Sequence, residues 1–325
     1  MIYYLNMENN IFDLIIVGGG PAGASAAIYA ARKRLKSILI LKEWGGQSIV
    51  SDNIENWIGT PKISGADLAK NLESHVKEYA GEFLEIKTGN LVTKGEKEND
   101  LIKVTLENGE NIFGKSLLIA TGSNRRKLEI KGAEEFEHKG LTYCATCDGP
   151  MFSGQDVVVV GGGNAGFESA AQLLAYCSSV TLLSRSEPRA DAITVNKLKE
   201  NPKFKLIVGA TPKEVFGDKF VNGLSYTVPS PTLPKGEGEM QEMKLDVSGI
   251  FVEIGQVPAT EWAQNLVELD EIGKIKIDPW TGRASRDHLV WAAGDATNIL
   301  YHQNNIASGE AVKALEDIYK TLKTK

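Results

Sequence analysis

The chain has 325 residues, 42% apolar and 24% charged, the composition of a globular protein long enough for two ordinary domains with sizeable cores. A net charge of -6 without any run of lysine and arginine argues against nucleic acid as a partner, because neutralising phosphates takes clustered basic side chains. Three cysteines are too few for a disulfide scaffold, so a C-x-x-C pair points to catalysis or metal binding.

The opening "MIYYLNMENNIFDLIIVGGG" has an apolar run of about six residues ending in a glycine turn, far short of the roughly 20 residues of a membrane span and without a cleavage site. The expectation is a cytoplasmic protein with no signal or membrane segment. "DLIIVGGGPAGASAAIYAARKRLKSILILK", residues 13–42, then reads as a β-branched strand, G-x-G-x-x-G, a small-residue helix and a second apolar strand. That is a βαβ unit whose strands are buried on both faces. In the turn "GGGPAG", Gly18 makes the tight bend, Gly20 lets backbone approach a pyrophosphate beside Pro21 and Ala22, and Gly23 lets helix pack on strand. The helix start meets the phosphates with unpaired N–H groups. Glu43 follows Gly23 by about twenty residues, where a carboxylate accepts both hydroxyls of an adenosine ribose.

Further on, "LIKVTLENGENIFG" predicts two strands about an Asn108-Gly109 hairpin, and "KSLLIATGS", residues 115–123, a strand ending in a small turn at Thr121 and Gly122. "LTYCATCDGPMF" holds Cys144 and Cys147, readable as a redox pair, half a metal site, or two buried apolar side chains. A structural zinc site needs about four ligands, and there is no second C-x-x-C and only 4 histidines, so no metal site is expected. Cys177, in "LLAYCSS", reads as a small buried hydrophobe.

"DVVVVGGGNAGFESAAQLLAYCSSVTLLSR", residues 156–185, superimposes on residues 13–42 without a gap, so the chain contains the same unit twice. Gly161, Gly163 and Gly166 repeat the three glycine roles, with Asn164 and Ala165 inside the turn. Its second strand runs into "SRSEPRAD", with Ser184, Arg185, Ser186 and Arg189 where the first unit has Glu43. Guanidinium groups there suit a ribose 2′-phosphate, the alternative being a solvated face. The first unit thus suits a dinucleotide with a free 2′-hydroxyl, and the second tolerates a phosphorylated one. "VPSPTLPKGEGEMQE", 228–242, cannot form a strand interior and is expected as an exposed hairpin loop without chemistry. "HLVWAAGDATN", 288–298, is a strand ending at Gly294-Asp295, where an acid can orient the ribityl or phosphate part of a large cofactor. "NNIASGEAVKALEDIYKTLKTK" closes the chain as a helix.

In this order the motifs "GGGPAG", "GGQ" with "ENWIG", "ATGS", "CATCDGPMF", "GGGNAGFESA", and "AAGDATN" followed by "YHQNNIASGEA" resemble those of the low-molecular-weight thioredoxin reductases and the related flavoprotein component of alkyl hydroperoxide reductase. The resemblance runs from Phe12 to about Leu322. It implies an α/β fold of two Rossmann-like FAD/NAD(P)-binding domains, the second inserted into the first. Residues 1–125 and 253–325 would form a discontinuous FAD-binding domain, and 126–252 a pyridine-nucleotide domain carrying the redox CxxC. FAD pyrophosphate would lie on the first glycine turn, with Gly46, Gln47, Asn56, Thr121, Gly122, Gly294, Asp295 and Gln303 around the rest of it. His302 precedes that glutamine at a position that varies among relatives. Arg185 and Arg189 would serve the nucleotide on the second turn, and the assembly would be a homodimer.

The chemistry implied is hydride transfer from a nicotinamide to FAD, reduction of a Cys144–Cys147 disulfide, and delivery of the electrons to thioredoxin or a similar small disulfide protein. By the same resemblance Cys147 sits against the flavin and Asp148 manages the dithiol protons; Asp148 is otherwise a turn residue before Gly149-Pro150. Segments near "GSNRRK" and "VEIGQVP" would act as hinges for a rotation of one domain against the other. Relatives that use NADPH carry a His-Arg-Arg stretch and a further arginine, of which "SRSEPRA" has Arg185 and Arg189, while NADH-using relatives carry an acid where Ser184 stands. NADPH is expected ahead of NADH. Ferredoxin or another non-nucleotide donor, service to a peroxiredoxin system, and a dinucleotide-binding redox sensor without turnover remain as alternatives; binding alone would need neither the cysteine pair nor Asp148.

Overall fold

Each copy of the repeat becomes the middle of a five-stranded parallel sheet. The computed structural model describes residues 11–51, 54–229, 240–284 and 289–323. Contacts divide them into two units, one running to Asn124 and resuming at Val257, the other spanning Arg125–Gln256. In the first unit the strands lie in the order Val290–Ala292, Leu117–Ile119, Leu14–Val17, Ser37–Leu41, Leu84–Thr88, all parallel. In the second the order is Leu141–Thr142, Gly249–Val252, Asp156–Val160, Ser179–Ser184, Phe204–Val208, again all parallel. The α/β fold expected from the alternation of β-branched runs and small-residue helices is therefore what forms.

The continuous apolar runs reflect burial on both faces. Every residue of Leu14–Val17 and Ser37–Leu41 is buried, as are Val157 to Val160 and Val180 to Ser184. The helix Pro21–Arg32 covers the first sheet with Ala24, Ala26, Ala27, Ala30 and Ala31, all buried, and the C-terminal helix Asn304–Lys323 joins the same core through Ala311, Ala314, Leu315 and Ile318. Small side chains permit this close approach of helix to sheet.

Each unit also carries a smaller sheet built mainly on antiparallel pairs. Val92–Glu98, Leu101–Leu106 and Asn111–Gly114 form a meander, closed by the short parallel strand Ile11–Phe12. Gly109 supplies the expected left-handed turn residue at φ +84°, and the Asn108 side chain accepts from the Glu110 amide. In the second unit Thr211–Gly217, Val221–Pro229 and Met240–Asp246 form a three-stranded sheet. This corrects the expectation for 228–242: Val228 pairs with Gln241 and Pro229 with Met240, so both flanks are strand. Pro229 is tolerated because it is the last paired residue of its strand; residues 230–239 lie outside the described ones. Among the described residues no helix is long and apolar enough to cross a membrane.

The glycines of the two turns differ in what surrounds them. A Cβ on Gly23 would overlap the Gly18 carbonyl oxygen, and one on Gly166 the Gly161 carbonyl oxygen, whereas a Cβ on Gly20 would meet only the Gly46 Cα at 3.9 Å. Gly23→Ala should therefore destabilise the chain by about 1–3 kcal/mol, because backbone has to move. Gly20→Ala should leave the urea-unfolding midpoint of the cofactor-free chain within experimental error. Equal midpoint shifts for the two variants would contradict this assignment.

Candidate active site

Both repeat helices begin without a side-chain cap. Gly20 and Gly163 are their N-caps and neither offers an acceptor, whereas Ser64 caps Gly65–Glu78 and Asp191 caps Ala192–Lys199. A cap contributes about 0.5–2 kcal/mol, so leaving two helix starts bare above glycine turns suits an external anion there. Space agrees with this, since a Cβ on Gly163 would meet nothing within 4 Å.

In the first unit the predicted residues converge on the carboxyl ends of the strands. Gly45 donates to the Gly19 carbonyl at 2.9 Å, which places Gly46 against Gly20; Pro21, Ala22 and Gly23 are buried in the helix start. The Gln47 amide donates to the Ser123 carbonyl and reaches Asp295 at 3.5 Å. Asn56 donates to Gln303 at 3.0 Å, and Asn305 donates to the Asn56 carbonyl at 2.6 Å. Thr121 donates to the Ala259 carbonyl at 2.7 Å, and Gly122 accepts from Ala259 N at 3.0 Å. Glu43 is exposed at the end of the second strand, and next to it the buried indole N–H of Trp44 has no partner among the described residues. A bare helix start, a glycine cradle and an unpartnered buried donor fit a dinucleotide cofactor of the FAD class.

Three groups here are not among the residues singled out from the sequence, although Ser123 closes "ATGS" and Glu310 lies in "YHQNNIASGEA". The Lys274 ammonium stands 2.6 Å from His302 Nε2, and His302 Nδ1 faces Asp295 Oδ1 at 3.5 Å. Burial pulls the Lys274 ammonium below the usual lysine value, against the opposing pull of Asp295 and Asp270. Glu310, buried on the C-terminal helix, accepts from the Gly294 N–H at 2.8 Å. Ser123 receives Gln47. Lys274 lies in a turn with no motif around it, so only the fold brings it to His302.

In the second unit the cysteines form a disulfide, with Cα atoms 5.3 Å apart. Cys144 is the N-cap of the short helix Ala145–Asp148, and the Cys147 amide donates to its Sγ at 3.2 Å. The same amide would hydrogen-bond a Cys144 thiolate in the reduced form, which favours that charge state. Buried Ala145 anchors the pair in the core beside Val157, Val159, Phe167 and Phe251, and Phe152 packs edge-on against Phe251 at 5.2 Å. Asp148 accepts from the Thr142 hydroxyl, a partner that no motif in the chain indicates. Cys177 is buried and free, and burial raises its thiol above the usual value.

Because the strands are parallel, the cysteine pair follows the edge strand Leu141–Thr142 at the same end of the sheet as the turn holding Gly161, Gly163 and Gly166. Ser184 is buried there and donates to the Ser186 carbonyl at 2.6 Å. The following segment is tied to the turn by Arg189 N to the Gly162 carbonyl at 2.9 Å and by Asp191 N to Asn164 Oδ1 at 3.0 Å. Asn164 is thus engaged in the fold, Ala165 is exposed beside it, and the Arg185 and Arg189 side chains are exposed. No cluster of three potential metal ligands occurs among the described residues.

The Glu310 environment has a measurable consequence. Burial is the main cause holding its carboxyl above the ordinary 4.5, opposed by the Gly294 N–H. A raised carboxyl stabilises the fold fully below the unfolded-state value, and this contribution is lost as pH rises through the folded value. Glu310→Gln keeps an acceptor for Gly294 but does not titrate, so its melting temperature should gain on that of the parent as pH rises from about 4.5 towards 7. A difference constant across that range would contradict the assignment.

Comparison with known proteins agrees with this geometry. A family model described as pyridine nucleotide-disulphide oxidoreductase matches residues 12–312. A protein named NADH dehydrogenase from Bacillus subtilis (strain 168) is 39% identical over 304 residues, which are 93% of this chain and 57% of that protein. An alkyl hydroperoxide reductase component of Pseudomonas aeruginosa is 39% identical over 305 residues, again 93% of this chain and 57% of the relative. The chain therefore spans little more than half the length of these relatives. Thioredoxin reductase from Streptococcus pyogenes MGAS5005 superimposes with a TM-score of 0.86 at 31% identity, over 98% of this chain and 100% of that one. Thioredoxin reductase from Giardia duodenalis gives 0.87 at 29% identity, over 97% and 100%. With its disulfide pair and two parallel α/β units, the chain belongs to the pyridine nucleotide-disulphide oxidoreductase family.

Proposed function

We propose that the chain is a flavin-dependent disulfide reductase that passes electrons from NADPH through FAD and the Cys144–Cys147 pair to thioredoxin or a small protein of that kind. The observation that carries this reading is the disulfide seated at the carboxyl end of the sheet that also bears the second glycine turn. On this reading the first unit holds FAD and the second the nicotinamide nucleotide. FAD, when bound, accepts a hydride from the nucleotide and supplies two electrons for disulfide reduction.

The residues of the chain do the rest. The bare start of Pro21–Arg32 takes the FAD pyrophosphate, with Glu43 on the adenosine ribose and Gln47, Asp295 and Gln303 on the remainder. Arg185 and Arg189 hold the 2′-phosphate of NADPH. Once the pair is reduced, one cysteine thiolate attacks the partner disulfide, forming a mixed disulfide and expelling the partner's other sulfur as thiolate. The second cysteine then attacks the mixed bond, which restores Cys144–Cys147 and releases the partner as a dithiol. Asp148, oriented by Thr142, gives and takes the thiol protons. The names of the two 39%-identical relatives favour a second reading, with NADH as donor and a carrier serving peroxide reduction as acceptor.

Stopped-flow mixing of the flavin-loaded protein with NADPH and with NADH separates the readings. NADPH should bleach the flavin, and replacing Arg185 and Arg189 together by alanine should weaken NADPH about 10- to 100-fold while leaving NADH nearly unchanged. Failure of both nucleotides at about millimolar concentration would remove a nicotinamide donor from the scheme. In a second experiment, Cys144→Ser and Cys147→Ser should each abolish turnover with a thioredoxin disulfide while flavin bleaching persists. Asp148→Asn should slow turnover about 100-fold or more and flatten its pH profile; undiminished turnover in any of the three would refute the roles given.

A further inference from the structure

Glu253 stands at the same end of the second sheet as the cysteine pair and the glycine turn, and no step above uses it. It directly follows the strand Gly249–Val252, which lies between Leu141–Thr142 and Asp156–Val160. Its amide donates to the Val160 carbonyl at 2.8 Å, and its own carbonyl rests against Gly161 so closely that a Cβ on that glycine would overlap it. The side chain turns to the helix Asn164–Leu173, where one carboxyl oxygen accepts from the Ser169 hydroxyl at 2.7 Å. Among the described residues the other oxygen makes no hydrogen bond.

A dinucleotide laid over the glycine turn has one riboside on each side of its pyrophosphate. The Arg185 side, over Ser179–Ser184, receives the adenosine. The other riboside then lies over the neighbouring strand, about 4.8 Å beyond the turn, and Glu253 directly follows that strand. A partly buried carboxyl with a single protein hydrogen bond is costly to keep unless something else uses it. Desolvation is the main cause raising this carboxyl above its ordinary value, with Ser169 and Arg125 opposing and Glu168 adding. In the protonated form it offers both a donor and an acceptor, which matches a carboxamide and ribose hydroxyls.

Resting on the reading that the second unit takes a nicotinamide nucleotide, we propose that the Glu253 carboxyl is a positioning residue for the nicotinamide riboside half, on the opposite side of the glycine turn from Arg185. The test compares NADP+ with 2′-phospho-ADP-ribose, which keeps the adenosine half and lacks the nicotinamide. Dissociation constants are measured by calorimetry on the flavin-loaded full chain, its Glu253→Ala and Glu253→Gln variants, and Glu253→Asp, which keeps a carboxyl but shortens the reach. Glu253→Ala should weaken NADP+ by about tenfold and leave 2′-phospho-ADP-ribose unchanged, with Glu253→Gln restoring NADP+ to within about threefold of the parent. Unchanged binding of the nicotinamide-free ligand also reports that the variant is folded; if Glu253→Ala does not fold, the Gln and Asp variants decide, with only Asp expected to lose affinity. An equal effect on both ligands, or none on either, overturns the proposal while leaving the donor reading intact. Absence of binding of both ligands to the parent protein overturns the donor reading and the proposal with it.

Discussion

Two backbone contacts between glycines organise this molecule: Gly23 on the Gly18 carbonyl and Gly166 on the Gly161 carbonyl. Each draws a helix against a parallel strand closely enough that no side chain fits between them. Each therefore points an uncapped helix start, with its free N–H groups and positive dipole end, over the carboxyl edge of a sheet. A larger residue at either contact would tilt the helix and lose both the packing and the aim of that dipole. The buried alanines of Pro21–Arg32 serve the same end, keeping helix, sheet and C-terminal helix in one close-packed layer.

Chemistry is then added at the sheet edge beside each turn. In the first unit the edge strand Val290–Ala292 leads into Gly294 and Asp295; in the second the edge strand Leu141–Thr142 leads into Cys144 and Cys147. The same place in two related sheets carries an acid in one and the disulfide pair in the other. Both are held from below. Glu310 pins the Gly294 amide, while Ala145 and Phe152 anchor the cysteine segment in the core. The reactive groups are thus half-exposed on rigid supports, which limits the reorganisation that disulfide exchange requires.

Much of this was legible in the chain because the signals are local. A glycine spacing, a β-branched run and an alanine-rich helix are read within about thirty residues, and both turns form where the repeats predict them. The Asn108-Gly109 hairpin is local for the same reason. Lys274 beside His302, Ser123 beneath Gln47, and Ser169 on Glu253 were not legible, since each pair is far apart in sequence and has no spacing rule. The prolines of 228–242 misled in the other direction. They argued against strand throughout, but a proline at the last paired position loses no hydrogen bond that its strand needs.

By itself the sequence determined the two βαβ units, the bare helix starts and the presence of a C-x-x-C pair, since each depends on residue type at short spacing. Strand order was decided only in the tertiary structure. The edge strand Val290–Ala292 of the first sheet comes from after the inserted unit and the edge strand Leu141–Thr142 of the second from before its glycine turn, a choice set by which apolar faces can be buried together across the chain. That long-range packing places Cys144 and Cys147, Glu253, the Gly161 turn and Arg185 along one edge.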